Sequence, residues 1–90
     1  MTEPTNKVAI ITGGSRGIGA AIAERFARDG FTVVINYAGN DAAAEALVRK
    51  IEKAGGRALA AKGDVADPAT MKRLFDAAEA AFGGVDVLVN

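Results

Sequence analysis

Residues 12–19 read Thr12-Gly13-Gly14-Ser15-Arg16-Gly17-Ile18-Gly19. They follow the apolar run Val8-Ala9-Ile10-Ile11 and open a segment of helical periodicity. A strand that passes through a glycine-rich turn into a helix leaves backbone N–H groups unpaired at the helix N-terminus. Those donors, with about half a positive charge from the helix dipole, attract phosphate. Gly13 can turn the chain with a positive φ, Gly17 can let the main chain approach a ligand, and Gly19 can let the helix lie close to the sheet. The spacing is Gly-x-x-x-Gly-x-Gly rather than Gly-x-Gly-x-x-Gly, and no Lys-Ser or Lys-Thr follows it, which sets it apart from a P-loop. The alternative is a tight strand-to-helix connection that holds no ligand.

Two further stretches could complete a nucleotide site. The β-branched run 32–37 ends in Asn36-Tyr37-Ala38. NAD sites place Asp or Glu at this strand end, about 20 residues past the glycines, to bind the ribose 2′-OH. Here no acid occurs until Asp41. A carboxylate repels a 2′-phosphate and an amide does not, while the Arg16 guanidinium can fork onto that phosphate. Both features favour NADP over NAD. The competing readings are a solvated charge for Arg16, a plain strand-end residue for Asn36 and a helix cap for Asp41. Farther along, Asp64 can accept a hydrogen bond from an adenine amino group with Val65 against the ring, or it can cap its own loop.

Positioning these residues requires strands that end together. Residues 7–12 form a strand around the continuous apolar run Val8-Ala9-Ile10-Ile11, which predicts burial on both faces. Residues 17–29 predict a helix with Ile18, Ile22 and Phe26 on one side and Glu24, Arg25 and Arg28 on the other, closed by Gly30. A strand over 32–37 follows. Asn40 or Asp41 caps a second helix that runs to about Ala54, with Leu47, Val48 and Ile51 as its stripe. Residues 57–62 form a third strand, assigned from context because alanine favours helix. Asp67-Pro68 starts a third helix carrying Met71, Leu74, Phe75, Ala78 and Phe82. Residues 85–89 form the last strand, ending at Asn90. The order βαβαβαβ predicts the α/β class, with a doubly wound parallel sheet. In such folds a ligand lies beyond the carboxyl ends of the strands, where the strand order reverses.

Composition narrows the function. Eleven basic and eleven acidic residues give net charge zero, and no segment is basic throughout, so nucleic acid is not an expected partner. The absence of Cys and His removes thiol nucleophiles, disulfides and the usual zinc ligands. No apolar run nears the ~20 residues that cross a bilayer, and the polar N-terminus does not read as a signal peptide. A cytoplasmic protein without a metal is expected. Ninety residues form one domain, with a frayed tail over 1–6.

With these elements in place, residues 12–19 resemble the Thr-Gly-x-x-x-Gly-x-Gly motif of the short-chain dehydrogenases/reductases. Asp64-Val65 and Val87-Leu88-Val89-Asn90 fit the same pattern. The resemblance covers the whole chain and is nearest to bacterial 3-oxoacyl-[acyl-carrier-protein] reductases. It implies a Rossmann-type sheet of order 3-2-1-4, NADP(H) as cofactor and a homo-oligomeric parent enzyme. It implies that Gly13, Ser15, Arg16, Ile18 and Gly19 contact the phosphates, and that Thr12 fixes the turn against the fourth strand. Arg16, Asn36, Tyr37 and Ala38 would surround the 2′-phosphate. Asp64 and Val65 would hold adenine, and Asn90 would lie by the nicotinamide ribose.

The family's chemistry uses a Ser and a Tyr-x-x-x-Lys, the tyrosine acting as acid and base. This chain has one serine, Ser15, and one tyrosine, Tyr37, with Asp41 four places on. It therefore resembles the cofactor-binding half of the enzyme without catalytic residues, and its last strand is expected to expose an apolar edge that promotes self-association and marginal stability. The alternatives are a stand-alone nucleotide-binding module and an S-adenosylmethionine-binding fold. The latter fits less well, since Arg16 lies in the phosphate turn and the second strand lacks the acid that grips a ribose diol.

Replacing Arg16 with Ala should lower NADPH affinity about ten-fold or more while sparing NADH, because hydrogen bonds to a charged group are lost. Binding titrations check this, and an unchanged NADPH-to-NADH ratio removes Arg16 from the site.

Overall fold

Four apolar runs lie side by side as one parallel sheet in the computed structural model, which describes residues 7–13 and 17–90. Gly14, Ser15 and Arg16, and the segment 1–6 read above as a tail, lie outside the described residues. The elements are β1 (Val8–Ile11), α1 (Gly17–Arg28), β2 (Thr32–Tyr37), α2 (Asp41–Lys53), β3 (Arg57–Lys62), α3 (Pro68–Phe82) and β4 (Val87–Val89). The strand order is β3-β2-β1-β4, all parallel, as expected.

Successive strand side chains point to opposite faces. Ala9, Ile11, Val33 and Ile35 pack with Ala23 of α1 and with Leu47 and Ile51 of α2. Val8, Ile10 and Val34 pack with Leu74 and Ala78 of α3. β1 therefore needs apolar residues at every position, since both its faces are covered by helix.

Local chemistry sets the helix ends. Asn40 caps α2, its Oδ1 accepting from the Ala43 N–H at 3.0 Å. Asp67 caps α3 by accepting from the Ala69 N–H at 3.0 Å, with Pro68 in the first turn. After α1, the Phe31 N–H reaches back to the Phe26 carbonyl at 3.0 Å, and the two rings meet edge to face with centroids 4.9 Å apart.

Two expectations change. The last strand begins at Val87 rather than Val85, because Val85 packs into the α3-side core and Asp86 clamps β1. The Asp86 N–H donates to the Val8 carbonyl and its carboxylate accepts the Val8 N–H, both at 2.8 Å. Ile18 does not continue the apolar stripe of α1. It is 81% exposed, whereas Ile22 and Phe26 pack against the core. Ile18 occupies the first turn of α1, beside the strands' carboxyl ends, where the sheet offers no further residue to cover it.

Leu74 is 2% exposed and anchors α3 to the sheet. Leu74→Ala should cost about 2–5 kcal/mol through lost burial and a residual cavity, measured by urea unfolding.

Candidate functional site

The chain leaves β1 toward β2 and β3, then returns over the other face through α3 to β4 on the far side of β1. The crossover from β1 to β2 therefore lies on one face of the sheet and the crossover that leads to β4 on the other, and a crevice opens beyond the carboxyl ends of β1 and β4. Thr12 ties its two sides together. Its N–H donates to the Val89 carbonyl at 2.9 Å, and its hydroxyl lies 3.2 Å from that oxygen and 3.4 Å from Asn90 Oδ1.

On the β1 side, Gly13 has φ +62° and Gly17 has φ +63°. A Cβ at either position would meet no atom within 4 Å. Backbone angle, not crowding, is what demands glycine here, and the main chain borders open space on which a ligand could rest. Ile18 and Gly19 follow in the first turn of α1. Ser15 and Arg16, both read as phosphate ligands, fall in the stretch outside the described residues.

At the tip of β2 the structure corrects the sequence reading. The Asn36 side chain is buried, and its Nδ2 donates to the carbonyls of Ala61 at 3.3 Å and Gly63 at 3.0 Å. Its amide holds the end of β3 instead of facing the open edge. Strand alternation is the reason: Asn36 shares the face of Val34, and Tyr37 points to the other. Tyr37 is half-buried and Ala38 exposed. Partial desolvation, then the Asp41 carboxylate and a hydrogen bond to it, raise the Tyr37 hydroxyl above its ordinary range, so it stays protonated. Asp41 is not the cap of α2. It pairs with Lys62, Nζ to Oδ1 at 3.3 Å. Lys62 was missed from the sequence, because its place beside Tyr37 depends on the β2–β3 register.

Beyond β3, the Gly63 N–H donates to the Tyr37 carbonyl at 2.9 Å. A Cβ on Gly63 would come within 2.8 Å of Thr70 Cγ2, so α3 can approach this loop only because the residue is glycine. Asp64 Oδ1 accepts the Ala66 N–H at 2.9 Å, which is the loop-capping role left open above for that oxygen. Val65 is 49% exposed.

The carboxyl edge thus gathers Thr12, Gly13, Ile18, Gly19, Tyr37, Ala38, Asp64, Val65 and Asn90, and turns Asn36 inward. A dinucleotide needs backbone donors for its pyrophosphate and apolar surface for its base. Open main chain at Gly13 and Gly17 and the uncovered side chains of Ile18 and Val65 fit that need. Among the described residues no group of His, Cys, Asp or Glu converges to hold a metal ion, and no helix is long and apolar enough to cross a membrane.

The short chain dehydrogenase family matches residues 7–90. An uncharacterized oxidoreductase of Methylorubrum extorquens is 49% identical over 90 residues, covering 100% of this chain and 36% of that protein. A 3-oxoacyl-[acyl-carrier-protein] reductase of Staphylococcus epidermidis is 44% identical over 85 residues, covering 94% of this chain and 35% of its own. The crystal structure of a short chain dehydrogenase from Burkholderia cenocepacia in complex with NADP aligns with a TM-score of 0.89 at 50% identity, over 94% of this chain and 35% of that one. The chain spans about a third of the length of the curated relatives it matches.

Asn36→Ala should destabilise the protein by about 1–3 kcal/mol, because two carbonyls at the end of β3 lose a buried donor. Chemical denaturation checks the loss, and a variant as stable as the original would show that the carbonyls find other partners.

Proposed function

The chain belongs to the short-chain dehydrogenase family, and on that premise we propose that residues 1–90 form the partial dinucleotide-binding domain of an NADP(H)-dependent oxidoreductase. The parent enzyme interconverts a carbonyl and an alcohol. NADPH, when bound, supplies the hydride. The observation that carries this reading is the placement of Ile18 and Val65. They are the two most exposed large apolar side chains among the described residues, and both stand at the carboxyl edge where the glycine turn ends. Leaving such surface in water is unfavourable, and a flat, partly apolar nucleotide relieves it.

The residues divide the work. Backbone amides from Gly13 to Gly19, with the Ser15 hydroxyl, hold the pyrophosphate at the N-terminus of α1. Arg16 forks onto the 2′-phosphate, bordered by Tyr37 and Ala38. Asn36 acts one step back, holding the Gly63 loop so that Asp64 and Val65 meet the adenine. Asp64 keeps one carboxylate oxygen for that contact while the other caps its loop. Thr12 links Asn90, beside the nicotinamide ribose, to the end of β1, so the two halves of the cofactor keep a fixed spacing. Residues 1–90 carry no Tyr-x-x-x-Lys, so they bind the nucleotide and leave proton transfer to other residues.

Titration of the protein with NADPH, NADH and S-adenosylmethionine tests the proposal. NADPH should bind more tightly than NADH, and S-adenosylmethionine should not bind. Preference for S-adenosylmethionine, or no dinucleotide binding, would overturn it.

A further inference from the structure

The tip of β2 carries a charge pair that the cofactor-binding assignments above do not use. Tyr37 and Lys62 are register partners in the β2–β3 ladder. Their side chains therefore leave the sheet on one side, the side covered by α2. Asp41 is the first residue of α2. Lys62 Nζ lies 3.3 Å from Asp41 Oδ1, and the two side chains are 56% and 60% exposed. An exposed ion pair contributes little to stability. Its consequence is local charge. Asp41 is the first carboxylate after the strand end where NAD sites place an acid, and it reaches the Tyr37 hydroxyl at that same tip. Glu45, one turn on, adds a weaker negative field there. Left uncompensated, Asp41 would favour a ribose diol and repel a phosphate that carries close to two negative charges.

Resting on the cofactor reading above, we propose that Lys62 is a specificity-determining residue: it cancels the Asp41 carboxylate, and that cancellation lets a 2′-phosphate settle at the β2 tip. Lys62 does not itself grip the phosphate. It removes a repulsion that would otherwise turn the site toward the unphosphorylated dinucleotide.

The test is a double-mutant cycle on the intact protein. Dissociation constants for NADPH and NADH are measured at low ionic strength, where exposed charges are least screened. Lys62→Gln should weaken NADPH about three- to ten-fold and leave NADH unchanged, as expected for one uncompensated charge near a polar surface. Asp41→Asn should hold NADPH at least as tightly as the original, and the double variant should return close to it. A double variant as weak as Lys62→Gln would mean that Lys62 holds the phosphate directly, which overturns the cancellation. Equal loss of both dinucleotides in Lys62→Gln, at unchanged melting temperature, overturns the role in specificity. An unsubstituted protein that binds neither dinucleotide overturns the cofactor reading, and this inference with it.

Discussion

β1 is hydrogen-bonded on both edges, to β2 and to β4, and covered on both faces by helices. Its four residues are 2% exposed or less. A strand enclosed in this way has its carboxyl end fixed between those of β2 and β4. Gly13 leaves it with a positive φ, and α1 begins at Gly17, also with a positive φ. One constraint thus produces both the rigid floor of the site and the exposed backbone at its mouth. The Asp86 clamp on Val8 at one end of β1, and the Thr12 bonds to Val89 and Asn90 at the other, hold β4 in register with it.

A second support sits behind the edge. The loop after β3 is held by the Asn36 amide, by the Gly63 N–H on Tyr37, and by the close approach of Thr70. Thr70 is buried and its hydroxyl accepts from Arg73 Nη2 at 3.2 Å. These contacts join β2, β3 and α3 at the point where Asp64 and Val65 emerge. Asp64 and Val65 are exposed, but the backbone that carries them is fixed from below. A binding loop on a rigid scaffold loses less entropy on binding than a free one.

The electrostatics of the edge depend on pairing rather than on net charge, which is zero for the chain. The Lys62–Asp41 bridge joins β3 to α2, and the Glu24–Lys50 bridge at 2.7 Å joins α1 to α2. Each acts over a short distance in a screened environment. Placement therefore matters more than number: a cation two strands away would not alter the field at Tyr37, whereas one at its register partner does.

The sequence alone determined the element order, the parallel sheet and the strand order that its family resemblance implies, because buried parallel strands and capped helices leave strong local patterns. The Asp67-Pro68 start, the two-sided apolar β1 and the positive φ at Gly13 were legible residue by residue. Tertiary structure alone decided which way each strand-end side chain points. Asn36 and Tyr37 are adjacent in the chain, yet one closes the sheet and the other opens onto its edge, since a strand sends neighbours to opposite faces. It also decided that Ile18, apolar and in phase with Ile22, is left uncovered, because periodicity along a helix carries no information about where the sheet beneath it stops. Lys62 entered the site only through its pairing with β2, a contact between residues 25 positions apart that no local pattern encodes.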